Sequence, residues 1–195
     1  MSGYEYDVFI SYAHLGSVRN WLLNHFREKL FDCLADQMVE TPRVYVDDSM
    51  DRGTHWPSNL RKALLHSKII VPLLTPPYFQ SSWCLAEFHS MWERQKSLGL
   101  GSLEKPQGLI YPILYADSDN FPKYASEFSW WDFKKYAYPD LSYQGSLDYS
   151  KFHGEVIKLA GDLAALLRQV PDWQPGWPIA DPDPVRTPPT PIPRF

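Results

Sequence analysis

Apolar positions along this chain alternate between short continuous runs and longer stretches that repeat every three or four residues. Val8-Phe9-Ile10 is a run of the first kind and predicts a strand over residues 5–11. Between 18 and 38, Trp21, Leu22, Phe26, Leu30 and Leu34 recur at helical steps, which predicts a helix with one buried face. Arg43-Val44-Tyr45-Val46-Asp47 predicts a second strand that runs into an acidic loop ending at Gly53. Trp56, Leu60, Ala63 and Leu64 mark a short helix, with Pro57 in its first turn, where a missing N–H costs nothing. Residues 67–74 read as a buried strand in which Pro72 predicts an end or an irregularity, because a central proline forfeits a ladder bond. Ser81 or Ser82 caps the next helix, which runs to about Leu98 and stops at Gly99 and Gly101. Residues 108–114 form a fourth strand, and a further short one is placed at Trp131-Asp132-Phe133 in the irregular aromatic stretch 115–148. A last helix over 150–169 carries Phe152, Val156, Leu159, Ala160, Leu163, Leu166 and Leu167 on its apolar face.

Strands that alternate with helices at these lengths predict a flavodoxin-like three-layer α/β fold, with about five parallel strands covered by helices on both faces. Such sheets take ligands beyond the carboxyl ends of their strands, where the strand order reverses. The segments to watch are therefore 11–17, 47–56, 75–87 and 115–131. Past Val170 the composition changes: nine of the 18 prolines fall within 171–195, and Pro188-Pro189-Thr190-Pro191-Ile192-Pro193 is incompatible with helix or central strand. This predicts a folded domain over 1–170 and an extended linker or tail over 171–195.

Composition narrows the function. The net charge is −4 and no basic cluster exceeds Lys134-Lys135, which argues against direct nucleic-acid binding. Two cysteines, Cys33 and Cys84, with no signal peptide, suit a reducing cytoplasm. No run of about 18 apolar residues is present, so no membrane-spanning helix is expected. The six histidines lack zinc spacing, there is no HExxH, and neither GxGxxG nor a Walker lysine loop occurs. Asp47-Asp48 suggest a phosphoacceptor, but the positions after the first and third strands hold Ser11-Tyr12 and Thr75-Pro76 instead of carboxylates.

The candidate chemistry lies in Ser82-Trp83-Cys84-Leu85-Ala86-Glu87. Trp83 and Glu87, four apart on a helix, fall on one face and offer an aromatic surface beside a negative charge. That suits a flat, cationic, sugar-bearing ligand, and the nearby helix start favours the ionised carboxylate and offers N–H groups to a phosphate. A helical glutamate is ordinarily a solvated surface residue. Here Ser90 and Met91, three and four positions on, provide no ion-pair partner. Trp83 taken alone reads as core. Cys84 reads as a small buried hydrophobe, since no histidine is placed to activate it.

Two blocks resemble TIR (Toll/interleukin-1 receptor) domains. Tyr6-Asp7-Val8-Phe9-Ile10-Ser11-Tyr12 is similar to the family's opening strand and loop. Lys68 to Glu87 is similar to its most diagnostic segment, an apolar strand leading through Thr75-Pro76-Pro77-Tyr78 to Ser-x-Trp-Cys-x-x-Glu. The resemblance covers roughly residues 4–169. The loop after the second strand lacks the Arg-x-x-Pro-Gly pattern of animal adaptors, and the late Phe-Trp motif has no clear counterpart. Both departures lean toward the enzymatic microbial and plant branches.

The resemblance implies an NAD+ nucleosidase that cuts the nicotinamide–ribose bond, releasing nicotinamide with ADP-ribose or a cyclic isomer. Glu87 would be the catalytic carboxylate. Phe9, Ile10, Ser11, Tyr12, His14 and Trp83 would line the substrate site, with Asp48 and Arg52 contributed by the loop after the second strand. NAD+ would be the substrate, with no separate cofactor and no metal. One carboxylate suffices in principle, because nicotinamide leaves as a neutral pyridine and needs no general acid, unlike the leaving oxygen of an O-glycoside. Such proteins act as cytoplasmic immune or antiphage effectors that work on assembly through TIR–TIR contacts, here joined by the Pro-rich segment to a sensor domain or protein. The alternative is a TIR scaffold without catalysis, acting by homotypic association. The choice between linear and cyclic product, and between NAD+ and NADP+, is fixed by no motif.

Overall fold

The computed structural model describes residues 3–47, 58–102, 105, 107–117, 121–122 and 128–182. Five strands form one parallel sheet: β1 (Tyr6–Ser11), β2 (Val44–Val46), β3 (Ser67–Leu74), β4 (Ile113–Leu114) and β5 (Trp131–Asp132), in the order β2-β1-β3-β4-β5. This is the flavodoxin-like order, and its reversal lies between β1 and β3. The α-helices of the described residues are α1 (Val18–Trp21), α2 (Arg27–Ala35), α3 (Ser58–Leu65), α4 (Ser82–Ser97) and α5 (Leu147–Leu167).

The sheet separates two apolar layers because successive side chains of a strand point to opposite faces. Val8 and Ile10 of β1, with Ile69, Val71 and Leu73 of β3, face the layer built with Trp21, Phe26, Phe152 and Leu163 of the α1, α2 and α5 side. Phe9 and Ile70 face the other layer, with Leu64 of α3 and Phe88 and Met91 of α4. Trp21 is fully enclosed, its ring stacked 4.8 Å from Phe26 and its Nε1 donating to the Tyr136 carbonyl at 2.9 Å.

The predicted helix over 18–38 runs from Val18 to Ala35, with a π-helical turn at Leu22–Phe26 between α1 and α2. That turn lies where Asn24 and His25 meet the carbonyls of Pro139 and Asp140. Pro72 does not end β3. It stands in register with Ser11 of β1, and the ladder to β4 is instead interrupted between the Ile70–Ile110 bridge and the Leu73–Ile113 pair, the stretch that holds Pro72 and Pro112. The lost donor thus falls on the side where pairing is already broken, and the bonds to β1 survive. This also shortens β4 relative to the predicted 108–114. The last helix starts three residues earlier than expected, because Ser146 caps it by accepting from the Tyr149 N–H.

Residues 171–182 carry no helix or strand and lie against α3 and α4. Tyr4 donates to the Pro171 carbonyl, Trp173 stacks on His66 and donates to the Leu65 carbonyl, and the Ala180 N–H donates to Ser90. Trp177 is buried over the guanidinium of Arg94, 5.0 Å from ring centre to Cζ.

Candidate active site around Glu87

β3 ends at Leu74, and Pro77 leads into a single 3-10 turn, Tyr78–Gln80. Ser81 is the cap of α4: its extended backbone and its Oγ, accepting from the Cys84 N–H at 3.3 Å, start the helix there. A cap of this kind contributes about 1 kcal/mol. Glu87 follows on the second turn, directed under the carboxyl ends of β1 and β3.

Glu87 is 6% exposed. Ser11, the last residue of β1, meets Oε2 at 2.5 Å through its hydroxyl. The Ser11 hydroxyl is also 3.0 Å from the Tyr78 hydroxyl, which in turn donates to the Cys84 carbonyl at 3.3 Å. Ser11 and Tyr78 are both buried. The site is therefore a line of four groups, carboxyl, hydroxyl, hydroxyl and carbonyl, drawn from β1, the 3-10 turn and α4.

Burial governs the electrostatics. Desolvation pushes the Glu87 carboxyl up to about 8; the Ser11 hydrogen bond pulls the other way, and the charge of Asp47 adds to the rise. The sequence-based expectation that the helix start would favour the ionised form is overruled. Glu87 lies a turn inside α4, past the first-turn N–H groups, and the Cys84 N–H is already held by Ser81. Burial also pushes the Cys84 thiol far up, so it is no thiolate, in keeping with a small buried hydrophobe.

The predicted site residues separate. Ser11 touches Glu87. Tyr12 donates to the Asp47 carbonyl at 2.7 Å and its ring stacks on His14, which is exposed, so these two stand at the rim beside the end of β2. The side chains of Phe9 and Ile10 are in the two core layers, Phe9 stacked on Tyr45 at 5.1 Å. Trp83 is half-buried and packs on the α3–α4 layer. Asp48 and Arg52 lie outside the described residues. Tyr78 was not singled out from sequence; its signal was a tyrosine placed between the Pro-Pro loop and the helix cap, a position whose side chain turns back toward the sheet ends.

Two surface grooves lie away from this line. One of about 660 Å³ runs between α4, α5 and the approach to β4, lined by Trp92, Gln95, Tyr111 and Asp162 among others. The second, about 630 Å³, follows the β2 edge past Arg27, Phe31 and Arg43. Glu87 lines neither. Among the described residues no group of three or more histidine, cysteine or carboxylate side chains could hold a metal ion, and no helix is long and apolar enough to cross a membrane.

The family model described as "TIR domain" matches residues 8–144. Disease resistance protein RPV1 of Vitis rotundifolia is 31% identical over 110 residues, 56% of this chain and 7% of that protein. Probable disease resistance protein RPP1 of Arabidopsis thaliana is 30% identical over 96 residues, 49% of this chain and again 7% of its own length. The match thus spans a small fraction of these curated relatives. Among solved structures, the TIR domain of the Toll-related receptor TRR-2 of Hydra magnipapillata aligns with 77% of this chain and 98% of its own, at 20% identity and a TM-score of 0.46. The TIR domains of the activated Roq1 resistosome, described as directly recognizing the pathogen effector XopQ, align with 85% of this chain and 97% of their own, at 21% identity and a TM-score of 0.42.

Proposed function

This chain belongs to the TIR-domain family, and from that premise we propose that it is an NAD+ nucleosidase in which Glu87 is the catalytic carboxylate. The observation that carries the reading is the position of Glu87: a buried carboxyl at the carboxyl end of β1 and β3, at the reversal of strand order, held by Ser11. That is where a sheet of this order takes its ligand.

The chemistry follows from charge. The nicotinamide ring of NAD+ is a pyridinium, and as its bond to ribose lengthens the positive charge moves onto the sugar as an oxocarbenium-like centre. A carboxylate beside the ribose opposes that charge and can hold the ribose hydroxyls, an electrostatic effect worth about 3 kcal/mol. Nicotinamide departs neutral, so no second carboxyl is needed. A group held up to about 8 is mostly protonated at neutral pH; entry of a cationic ring lowers it, so that the substrate itself helps to produce the ionised form. The products are nicotinamide with ADP-ribose or a cyclic isomer. The setting proposed is a cytoplasmic immune or antiphage effector, active on self-association and joined through its Pro-rich segment to a sensor domain or protein. Likeness to plant disease resistance proteins supports the immune part.

The test is chromatographic. The purified chain is incubated with NAD+ at high concentration with crowding agent, beside Glu87→Gln. Nicotinamide from the unmodified protein alone supports the reading; equal release by both, or none from a sample shown to be assembled, overturns it.

A second reading, a TIR scaffold that acts by homotypic association without catalysis, is favoured by one observation: Glu87 is buried and already hydrogen-bonded within the fold by Ser11. Self-association by sedimentation, together with an assembled sample inert toward NAD+, would select it.

A further inference from the structure

The line of groups at Glu87 has more acceptors than protons, and the count differs between the two states of the carboxyl. With Glu87 protonated, its O–H donates to Ser11, Ser11 donates to Tyr78, and Tyr78 donates to the Cys84 carbonyl; each of the three protons has its own acceptor along the contacts at 2.5, 3.0 and 3.3 Å. With Glu87 ionised, the Ser11 hydroxyl turns to donate to Oε2. Tyr78 then has two acceptors for one proton, the Ser11 oxygen and the Cys84 carbonyl. The chain of hydroxyls therefore has two settings that differ in the direction of the Ser11 proton, and neither strands a buried donor.

We propose that Tyr78 is a positioning residue for Glu87, and that with Ser11 it forms a two-setting hydroxyl switch in which Tyr78 supports the protonated carboxyl and Ser11 supports the carboxylate. The inference rests on the nucleosidase reading for its purpose, letting the resting site hold a neutral carboxyl that ionises when a cationic substrate enters, its proton leaving to solvent. The switch itself is a property of the ligand-free protein.

The two hydroxyls act with opposite sign for a stated reason. Ser11 is hydrogen-bonded in both settings, but its bond to a carboxylate is charge-assisted and roughly twice as strong as its bond to the neutral acid. Removing it costs the ionised form more. Tyr78 accepts from Ser11 only in the protonated setting. Without that acceptor, Ser11 is turned to donate to Glu87 in both states, and the carboxyl O–H of the protonated form is left without its place in the line. Removing the tyrosine hydroxyl therefore costs the protonated form more. Asp47 and Tyr45 of the β2 side and the Cys84 thiol of its own helix also couple electrostatically to Glu87. Burial pushes Tyr45 up to about 12 and the thiol far up, so across pH 6 to 10 both stay neutral while Glu87 changes charge.

The experiment follows the carboxyl directly, without turnover. The whole chain is labelled with 13Cδ-glutamate and titrated by NMR, with Glu87→Gln to assign the signal. Tyr78→Phe is expected to lower the Glu87 midpoint by about one pH unit, and Ser11→Ala to raise it by a similar amount. Opposite shifts establish the switch. Shifts of the same sign, or no shift in either variant, overturn it, since a merely structural pair has no reason to divide by sign. If Tyr78→Phe does not fold, Ser11→Ala decides alone, because a fall or no change there contradicts the proposal. The same variants should move the rising limb of nicotinamide release against pH in the same directions. Failure of the nucleosidase reading would show separately, as no release at any pH with the NMR shifts intact.

Discussion

Helix α4 buries two opposite charges seven residues apart, Glu87 and Arg94, and the fold treats them differently. Arg94 is fully enclosed, yet its guanidinium donates to the carbonyls of Ser67, Leu64 and Leu65, at 2.8, 3.1 and 3.5 Å. Two of these lie at the carboxyl end of α3, the negative end of its dipole. The Trp177 ring covers the outer face. Burial lowers Arg94 only to about 10, so it stays charged at neutral pH. Glu87 has one hydroxyl, and burial raises it to about 8, so it is mostly neutral there. A buried charge whose two terminal nitrogens are held by carbonyls, as in Arg94, is a structural fastener. One left short of partners costs stability, and it remains in the fold ready to act on something not yet bound.

The largest expected effect breaks the fastener. Arg94→Ala takes the guanidinium donor from the buried carbonyls of Ser67 and Leu64, while Leu65 keeps Trp173, and should cost about 4 kcal/mol of unfolding free energy, read by denaturant melts, with turnover per folded molecule unchanged. Next comes the other member of the pair. Glu87→Gln should reduce nicotinamide release by roughly 100- to 1,000-fold, with folding retained. A third measurement compares the two proteins across pH. Because Glu87 keeps its proton to about 8 when folded and loses it near 4.5 when unfolded, the unfolded state binds fewer protons over that window, and wild-type stability falls as pH rises through it. Glu87→Gln lacks this slope, so its advantage in melting free energy should grow from near zero at pH 4.5 to on the order of 3 kcal/mol at pH 8. A wild-type curve parallel to that of the variant would contradict the raised value. The smallest expected effect concerns the cover: Trp177→Ala should cost about 2 kcal/mol, low for a buried tryptophan because the segment that carries it has no helix or strand and can close over part of the gap. Cutting the chain after Val170 should cost at least as much, which would place residues 171–182 within the folded unit.

The elements were readable from local pattern where the pattern was strong. Val8-Phe9-Ile10, the α4 cap and the Phe152 to Leu167 periodicity each appear in the structure near their predicted places. Less readable were features set by a neighbour. Pro72 reads as a breaker until Pro112 is found across from it, and the docking of residues 171–182 depends on Trp173 and Trp177 meeting His66 and Arg94 from about 100 residues away in sequence. Glu87 and Ser11 could be named, because each lies at a strand or helix end that the fold class makes important. Tyr78 could not, since the direction of one side chain in a single 3-10 turn leaves no periodic trace.

Sequence by itself determined the order of strands and helices, the α/β class, the likeness to TIR domains and the carboxylate proposed as catalytic. These rest on local patterns of apolar spacing, caps and contiguous motifs, which a chain carries whether or not it is folded. The tertiary structure alone decided that Glu87 is buried and mostly neutral, that Ser11 and Tyr78 line up beside it, and that Arg94 is fastened beneath a segment that reads as linker. Each of those depends on how much water is excluded and which distant groups arrive, and desolvation and hydrogen bonding act through space.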